Sequence, residues 1–260
     1  MPARFRDKTL IVFDLDGTLT ETKSNMDRET ARLLCGLLRD KRVAVIGGGA
    51  YQQFRAQFLA HLPCPKERFK NLFLFPTTST SFYRYARGWR KVYAKRFSPR
   101  EKRAIKHAFR AALREIRYVP PRKTYGKVIE DRGAQITFSA LGQDVVKILG
   151  EKKGVALKTQ WKKQHAALKL KLAQTLQKRL PGFEVRASGF TSIDVTHKGI
   201  DKAYGIREIE KHLRIPRRKM LFVGDALFPG GNDYAARRTG VTCVSVSGPK
   251  QTKKLVRSLL

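Results

Sequence analysis

Uninterrupted apolar runs recur along the chain, each closed by polar or turn-forming residues: "TLIVF" at 9–13, "VAVI" at 43–46, "NLFLF" at 71–75, "MLFV" at 220–223 and "VTCVSV" at 241–246. A strand with one wet face alternates, whereas a strand covered on both faces reads as continuous hydrophobicity. The runs therefore predict a buried parallel sheet. Between the first two lies "NMDRETARLLCGLLRD", whose Leu and Ala spacing fits an amphipathic helix, and "AYQQFRAQFLAHL" supplies another before the third. The order β-α-β-α-β predicts a doubly wound α/β sheet.

The middle of the chain follows another rule. "FYRYARGWRKVYAKRF", "KVIEDRGAQITFSAL" and "FEVRASGFTSIDVT" alternate around glycine-containing turns, as antiparallel strands with one covered face do. Two long polar helices sit among them: "PREKRAIKHAFRAALREI", with Pro99 near its start, and "WKKQHAALKLKLAQTLQKRL", stopped by Pro181-Gly182. The predicted organisation is an α/β core at 1–81 and 191–260, interrupted by an α+β insertion at 82–190.

Composition narrows the picture. A chain of 260 residues that is 42% hydrophobic can bury a substantial core. No apolar run approaches the roughly 20 residues of a membrane span, and the N-terminal apolar stretch is too short for a secretory signal, so a cytoplasmic protein without a membrane partner is expected. Cys35, Cys64 and Cys243 are odd in number and lack CxxC spacing, which predicts buried reduced thiols rather than disulfides or a zinc site. The charge balance is unusual: 55 Lys plus Arg against 21 Asp plus Glu leaves +34. Such a surface attracts polyanions non-specifically, yet the basic residues are spread along the chain and accompany no nucleic-acid-binding motif. A solvated basic surface is the alternative.

Candidate chemistry gathers at the ends of the predicted strands. In "LIVFDLDGTLT", Asp14 and Asp16 follow a buried strand directly, where open α/β sheets bind their ligands. Taken alone, the pair reads either as a capped Asp-Gly turn or as two catalytic carboxylates. Three segments bear on the choice. In "FVGDALFPGGNDY", Asp225 and then Asn232-Asp233 follow another buried strand, and two carboxylate clusters at two strand ends suit a hard cation such as magnesium. In "IDVTHKGIDKAYG", Lys202 stands at a strand-to-helix transition, where an ammonium can neutralise a phosphate or simply lie in solvent. In "VAVIGGGAY", Gly47, Gly48 and Gly49 open a helix and form either an anion-binding backbone or an ordinary tight turn.

Together and in this order, "FDLDGTLT", "VIGGGAY", "IDVTHKGIDKAYG" and "FVGDALFPGGNDY" resemble the haloacid dehalogenase superfamily of aspartate-nucleophile phosphotransferases. With "VIEDRGAQITFSALGQ" in the insertion, the chain is similar to the phosphomannomutase branch, subfamily IIB, which has a C2-type cap. The resemblance implies a doubly wound parallel-sheet core with an inserted α+β cap that selects substrate. It implies that Asp14 is the nucleophile and Asp16 the acid/base, with Lys202 as cationic partner. Magnesium would be held by Asp14, the Asp16 carbonyl, Asp225 and Asp233, and the substrate would be a sugar phosphate. Gly47, Gly48, Gly49 and Asn232 in the core, and Arg132, Gln143, Ser192 and Asp194 in the cap, match substrate or phosphate positions. The chain also departs from the family. Gly49 stands where a serine is usual, Gln143 where an arginine is usual, and Tyr125 replaces a further arginine. The lost arginines leave two readings open, a phosphomannomutase-like phosphotransferase and a sugar-phosphate phosphatase of the same fold, and the basic surface keeps a third, a nucleic-acid-associated protein. Oligomeric state is not legible in the sequence.

Overall fold

The structure, a computed structural model, describes residues 5–21 and 24–260. In chain order the elements are β1 (Leu10–Asp14), α1 (Arg28–Leu37), β2 (Arg42–Ile46), α2 (Tyr51–Gln57), β3 (Leu72–Phe75), the single turn α3 (Pro76–Ser79), β4 (Ser81–Tyr85), β5 (Trp89–Ala94), α4 (Pro99–Glu115), β6 (Ile129–Asp131) and β7 (Gln135–Ser139). They continue with α5 (Val145–Leu149), α6 (Glu151–Arg179), β8 (Phe183–Ser188), β9 (Ser192–His197), α7 (Lys202–Leu213), β10 (Met220–Gly224), β11 (Thr242–Ser245) and α8 (Pro249–Leu259). Two compact units result, one ending at Ala94 and resuming at Ile200, the other spanning Lys95–Gly199.

The first unit is built on a seven-stranded sheet in the order β11-β10-β1-β2-β3-β4-β5. The first five of these are parallel, as the continuous apolar runs predict, and β4 and β5 turn antiparallel at the edge. Successive side chains of a strand leave on opposite faces. Ile11, Phe13, Val43 and Val45 therefore pack with residues of α1 and α8, while Leu10, Val12, Ala44 and Ile46 pack against Ile206 and Ile209 of α7. Helix α1 starts where Asp27 accepts hydrogen bonds from the amides of Glu29 and Thr30 at 3.0 and 2.9 Å, a cap worth about 1 kcal/mol.

The second unit is a four-stranded antiparallel sheet, β6-β7-β9-β8, with α4 and α6 packed on it. Ile136, Phe138, Ile193 and Val195 face Ile105, Phe109, Leu172 and Leu176 in its core. Helix α4 opens with a reciprocal capping box, in which the Glu101 amide donates to Ser98 Oγ at 3.2 Å and the Ser98 amide donates to Glu101 Oε2 at 2.7 Å.

Three expectations change. The insertion lies at 95–199 rather than 82–190, because β4 pairs with β3 and extends the first sheet, whereas β9 pairs with β7 and β8. Helix α6 begins ten residues before the predicted Trp161, since Leu157 and Trp161 reach the core and packing outweighs the weak helical propensity around Gly154. Cys35 and Cys64, expected as reduced thiols, form a disulfide with Cα atoms 5.4 Å apart, and Cys243 is free. The bond joins α1 to the segment after α2, positions that the crossover connections bring together and that sequence spacing does not reveal.

Gly142 carries the tight turn after β7 with φ +85°, and a Cβ there would fall on the backbone of Tyr125. Left-handed strain and overpacking together predict that Gly142→Ala costs about 2–5 kcal/mol. Denaturant unfolding of the intact chain checks this, and a loss under about 1 kcal/mol would contradict it.

Candidate active site

Strand register places the acidic residues. Phe13 of β1 is level with Val223 of β10, so Asp14 and the Gly224-Asp225 pair emerge side by side at the carboxyl ends of adjacent parallel strands. The turn after Asp225 brings back Asp233, which is fully buried and accepts the Ala226 amide at 3.2 Å. Carboxylate oxygens of Asp14, Asp225 and Asp233 all lie within 4.8 Å of one another.

Lys202, the first residue of α7, enters this cluster with 3% of its surface exposed. Its Nζ donates to Asp14 Oδ1, pairs with Asp233 Oδ1 at 3.1 Å and lies 3.4 Å from the Ile46 carbonyl. Burial by itself opposes a charged lysine, but the attraction of Asp14 and Asp233 outweighs it and raises the ammonium's pKa above the ordinary value. Burial pushes the Asp14 carboxyl well above its usual range; Lys202 pulls it back, while Asp233 and Asp225 push it up again. Asp225 is raised by burial and then by Asp233, against hydrogen bonding from Thr18. With all three carboxylates ionised, the single ammonium would leave two negative charges uncompensated. An all-oxygen set with that surplus fits a hard divalent cation.

The loop after Asp14 is shaped around the same cluster. Thr18 Oγ1 donates to Asp225 Oδ1 at 3.2 Å. Gly17 has φ +89°, and a Cβ there would stand 2.6 Å from Asp225 Oδ2, so no larger residue fits beneath the carboxylate. Asp16 lies outside the three-carboxylate group and meets Gln53 Nε2 of α2 at 3.4 Å. Gln53 also donates to Gln57 at 2.8 Å. Thr18 and Gln53 were not singled out from sequence, although each lies close in the chain to a motif, at Asp14 and at the three glycines.

The glycine loop is pinned from behind. The Gly47 amide donates to the Phe75 carbonyl at 3.3 Å, so Gly47 contributes shape to the loop rather than a donor for an anion. The Thr77 and Thr78 amides donate to the carbonyls of Gly49 and Gly47, both at 2.8 Å. Thr77, Thr78 and Ser79 of α3 have φ of 51°, 53° and 63°, a left-handed turn that β-branched residues rarely adopt. This turn packs on α7 and so lies between the glycine loop and the helix that presents Lys202. "PTTST" carries no glycine or asparagine that would signal it.

In the second unit the structure pairs two residues singled out from sequence, Arg132 and Gln143, whereas Ser192 and Asp194 lie two positions apart on β9 with separate neighbours. Arg132 is bound to Glu130 at 2.6 Å and donates to Gln143 Oε1 at 3.0 Å. Asp194 accepts from Thr137 at 2.6 Å, and Ser192 stands level with Ser139 on the neighbouring strand. Tyr125 packs at the edge of this unit's core. In the first unit, Asn232 is exposed beside Asp233.

The family model for eukaryotic phosphomannomutases matches residues 33–260 of the chain. The chain belongs to this family. It is 27% identical over 255 residues to a phosphomannomutase of Encephalitozoon cuniculi, covering 98% of this chain and 94% of that protein. Its fold is similar to that of a Plasmodium falciparum IMP-nucleotidase, with TM-score 0.70, 16% identity and coverage of 98% of this chain and 69% of that one. It also resembles a haloacid dehalogenase-like hydrolase from Bacteroides thetaiotaomicron, with TM-score 0.61, 12% identity and coverage of 97% and 100%. The core sheet is thus the haloacid-dehalogenase-like one expected from the motifs. The phosphomannomutase model match begins downstream of Asp14, whereas the alignment with the whole relative takes in nearly the entire chain. As a phosphomannomutase-family member the chain is an enzyme of sugar-phosphate phosphoryl transfer. Among the described residues no helix is long and apolar enough to cross a membrane.

The charge surplus of the carboxylate cluster makes a stability prediction, with magnesium chloride as the probe. At a cation concentration one hundred times its Kd, the wild-type chain should gain about 2.7 kcal/mol against unfolding. Asp225→Asn, at the least buried of the three acids, should lose most of that gain. A wild-type melting temperature indifferent to the cation, or a variant that responds equally, would contradict the site.

Proposed function

We propose that the chain is a magnesium-dependent phosphotransferase acting on hexose phosphates through an aspartyl phosphate on Asp14. The observation that carries this reading is Asp14 itself, buried at the end of the central strand, oriented by Lys202 and surrounded by the carboxylates of Asp225 and Asp233. An Asp14 oxygen attacks phosphorus, the bond to the sugar oxygen breaks, and that oxygen takes a proton from the Asp16 carboxyl. In the second half, Asp16 removes the proton from the acceptor hydroxyl, which takes the phosphoryl group from Asp14. Covalent relay of this kind divides one difficult displacement into two easier ones. Asp14, Asp225, Asp233 and the Asp16 carbonyl would hold magnesium, which when bound offsets charge on the phosphoryl oxygens. Lys202 opposes the effect of burial on the Asp14 carboxyl and aims it. Gly48 and Gly49 are proposed to shape the phosphate-facing loop, with Asn232 at its polar rim.

On the second unit, Arg132, Gln143, Ser192 and Asp194 are the proposed sugar-phosphate contacts. One observation there favours a second reading. Arg132 is already matched by the Glu130 carboxylate and by a neutral Gln143, so this cluster offers less net positive charge than two free guanidinium groups would. A mutase must hold a bisphosphate by its far phosphate while it turns round. A weaker grip favours release and transfer of the phosphoryl group to water, the phosphatase outcome.

Phosphorus NMR of mannose 1-phosphate with a catalytic amount of hexose 1,6-bisphosphate separates the readings. The 6-phosphate should appear together with appreciable inorganic phosphate. Asp14→Asn should abolish both, and Asp16→Asn should slow both by about 10²- to 10⁴-fold. Inorganic phosphate without any 6-phosphate would replace the mutase reading with the phosphatase one. Near-native turnover by Asp14→Asn would overturn the nucleophile.

A further inference from the structure

Helix α4 buries Ile105, Ala108, Phe109 and Ala112. Its opposite side exposes Arg100, Arg103, His107, Arg110 and Arg114, spaced by three and four residues in turn. That spacing keeps all five on one face, as neighbours along a helix surface. The line is about 21 Å long at 1.5 Å per residue. On one flank, positions 104 and 111 are alanines, so no long side chain screens the row from that side.

The helix's own acids are committed elsewhere. Glu101 closes the capping box and pairs with His197, and Glu115 pairs with Arg179 of α6. Asp131 is taken by Lys102, a residue of α4 outside the row. Among the described residues no carboxylate forms an ion pair with Arg100, Arg103, Arg110 or Arg114. Beside α4, helix α6 exposes Lys163, Lys171 and Lys178.

We infer that this face is a second functional surface, which binds the phosphate backbone of a double-stranded nucleic acid without reading its sequence. Guanidinium groups recognise phosphate by paired N–H donors, and unpaired arginines in a row match a row of phosphates better than a diffuse excess of charge does. The face carries no Leu, Phe or Trp, the residues with which an interfacial helix enters a membrane. It carries no Phe, Tyr or Trp on which single-strand bases would stack. Contact with backbone phosphates alone is what remains, and it depends strongly on salt. None of this surface's residues is among the proposed catalytic residues.

The test is fluorescence anisotropy of the full-length chain with a random-sequence DNA duplex across a salt series, comparing Arg103→Gln/Arg110→Gln/Arg114→Gln with an equal charge change on the other unit, Arg207→Gln/Lys211→Gln/Arg218→Gln. Each lost phosphate contact should lower the log–log salt slope by about 0.9, so the α4 variant should lose about 2.7 in slope and bind at least tenfold more weakly at about 0.1 M salt. The other variant should change by less than one contact, and both should keep native melting and phosphoryl-transfer rates. Equal weakening by both variants would mean that net charge alone is responsible and would overturn the inference. So would an unchanged slope in the α4 variant, or binding to phosphatidylserine vesicles with none to the duplex.

Discussion

A buried ammonium among carboxylates organises the first unit. Removing Lys202 from water is costly unless its charge is met, and Asp14 meets it from the end of β1 and Asp233 from the loop after β10. Removing one partner of such a pair strands the others, a loss of about 3–5 kcal/mol in comparable buried pairs. The lysine is therefore both a structural tie between β1, α7 and the loop after β10 and the group that fixes the orientation of Asp14. The arrangement remains short of positive charge. An all-oxygen cluster of this kind suits a hard cation.

The surrounding structure reads as support for this cluster. Parallel pairing of β1 with β10 sets the two acidic strand ends level. Gly17 leaves room for the Asp225 carboxylate, Thr18 holds it by a hydrogen bond, and the Ala226 amide holds Asp233. Behind the glycine loop, the left-handed turn of Thr77, Thr78 and Ser79 fixes two glycine carbonyls and packs on the helix that carries Lys202. Non-glycine residues adopt that backbone at a cost of about 1–2 kcal/mol each, which persists only where the surroundings determine it.

The parallel core was legible because strands buried on both faces leave continuous apolar runs, and the acidic motifs were legible because they follow those runs directly. Helix α4 announced itself through Pro99 near its start, while its capping box of Ser98 and Glu101 emerged from the structure. What the sequence did not convey depends on long-range geometry. Whether the hairpin of β4 and β5 joins the first sheet is decided by its pairing with β3, to which its alternating pattern is indifferent. The ends of α6 depend on Leu157 and Trp161 finding a core, and the final helix α8 on Val256 and Leu259 packing near α1. The Cys35–Cys64 bond reflects chain crossing, and the left-handed turn at 77–79 is forced on threonine and serine by their surroundings rather than chosen by them.

The neutralised arginine of the second unit and the arginine row of α4 give the basic composition two separate meanings. Arg132 is engaged by Glu130 and Gln143, whereas the α4 row faces solvent. The nucleophile remains the central claim. Its most direct measurement is rapid acid quench of the enzyme with a phosphorus-labelled hexose bisphosphate and magnesium, followed by peptide mapping. The expected result is hydroxylamine-labile label on the peptide containing Asp14, absent when a chelator replaces the cation. Label on a serine or histidine peptide, or turnover with no covalent label at any quench time, would contradict it.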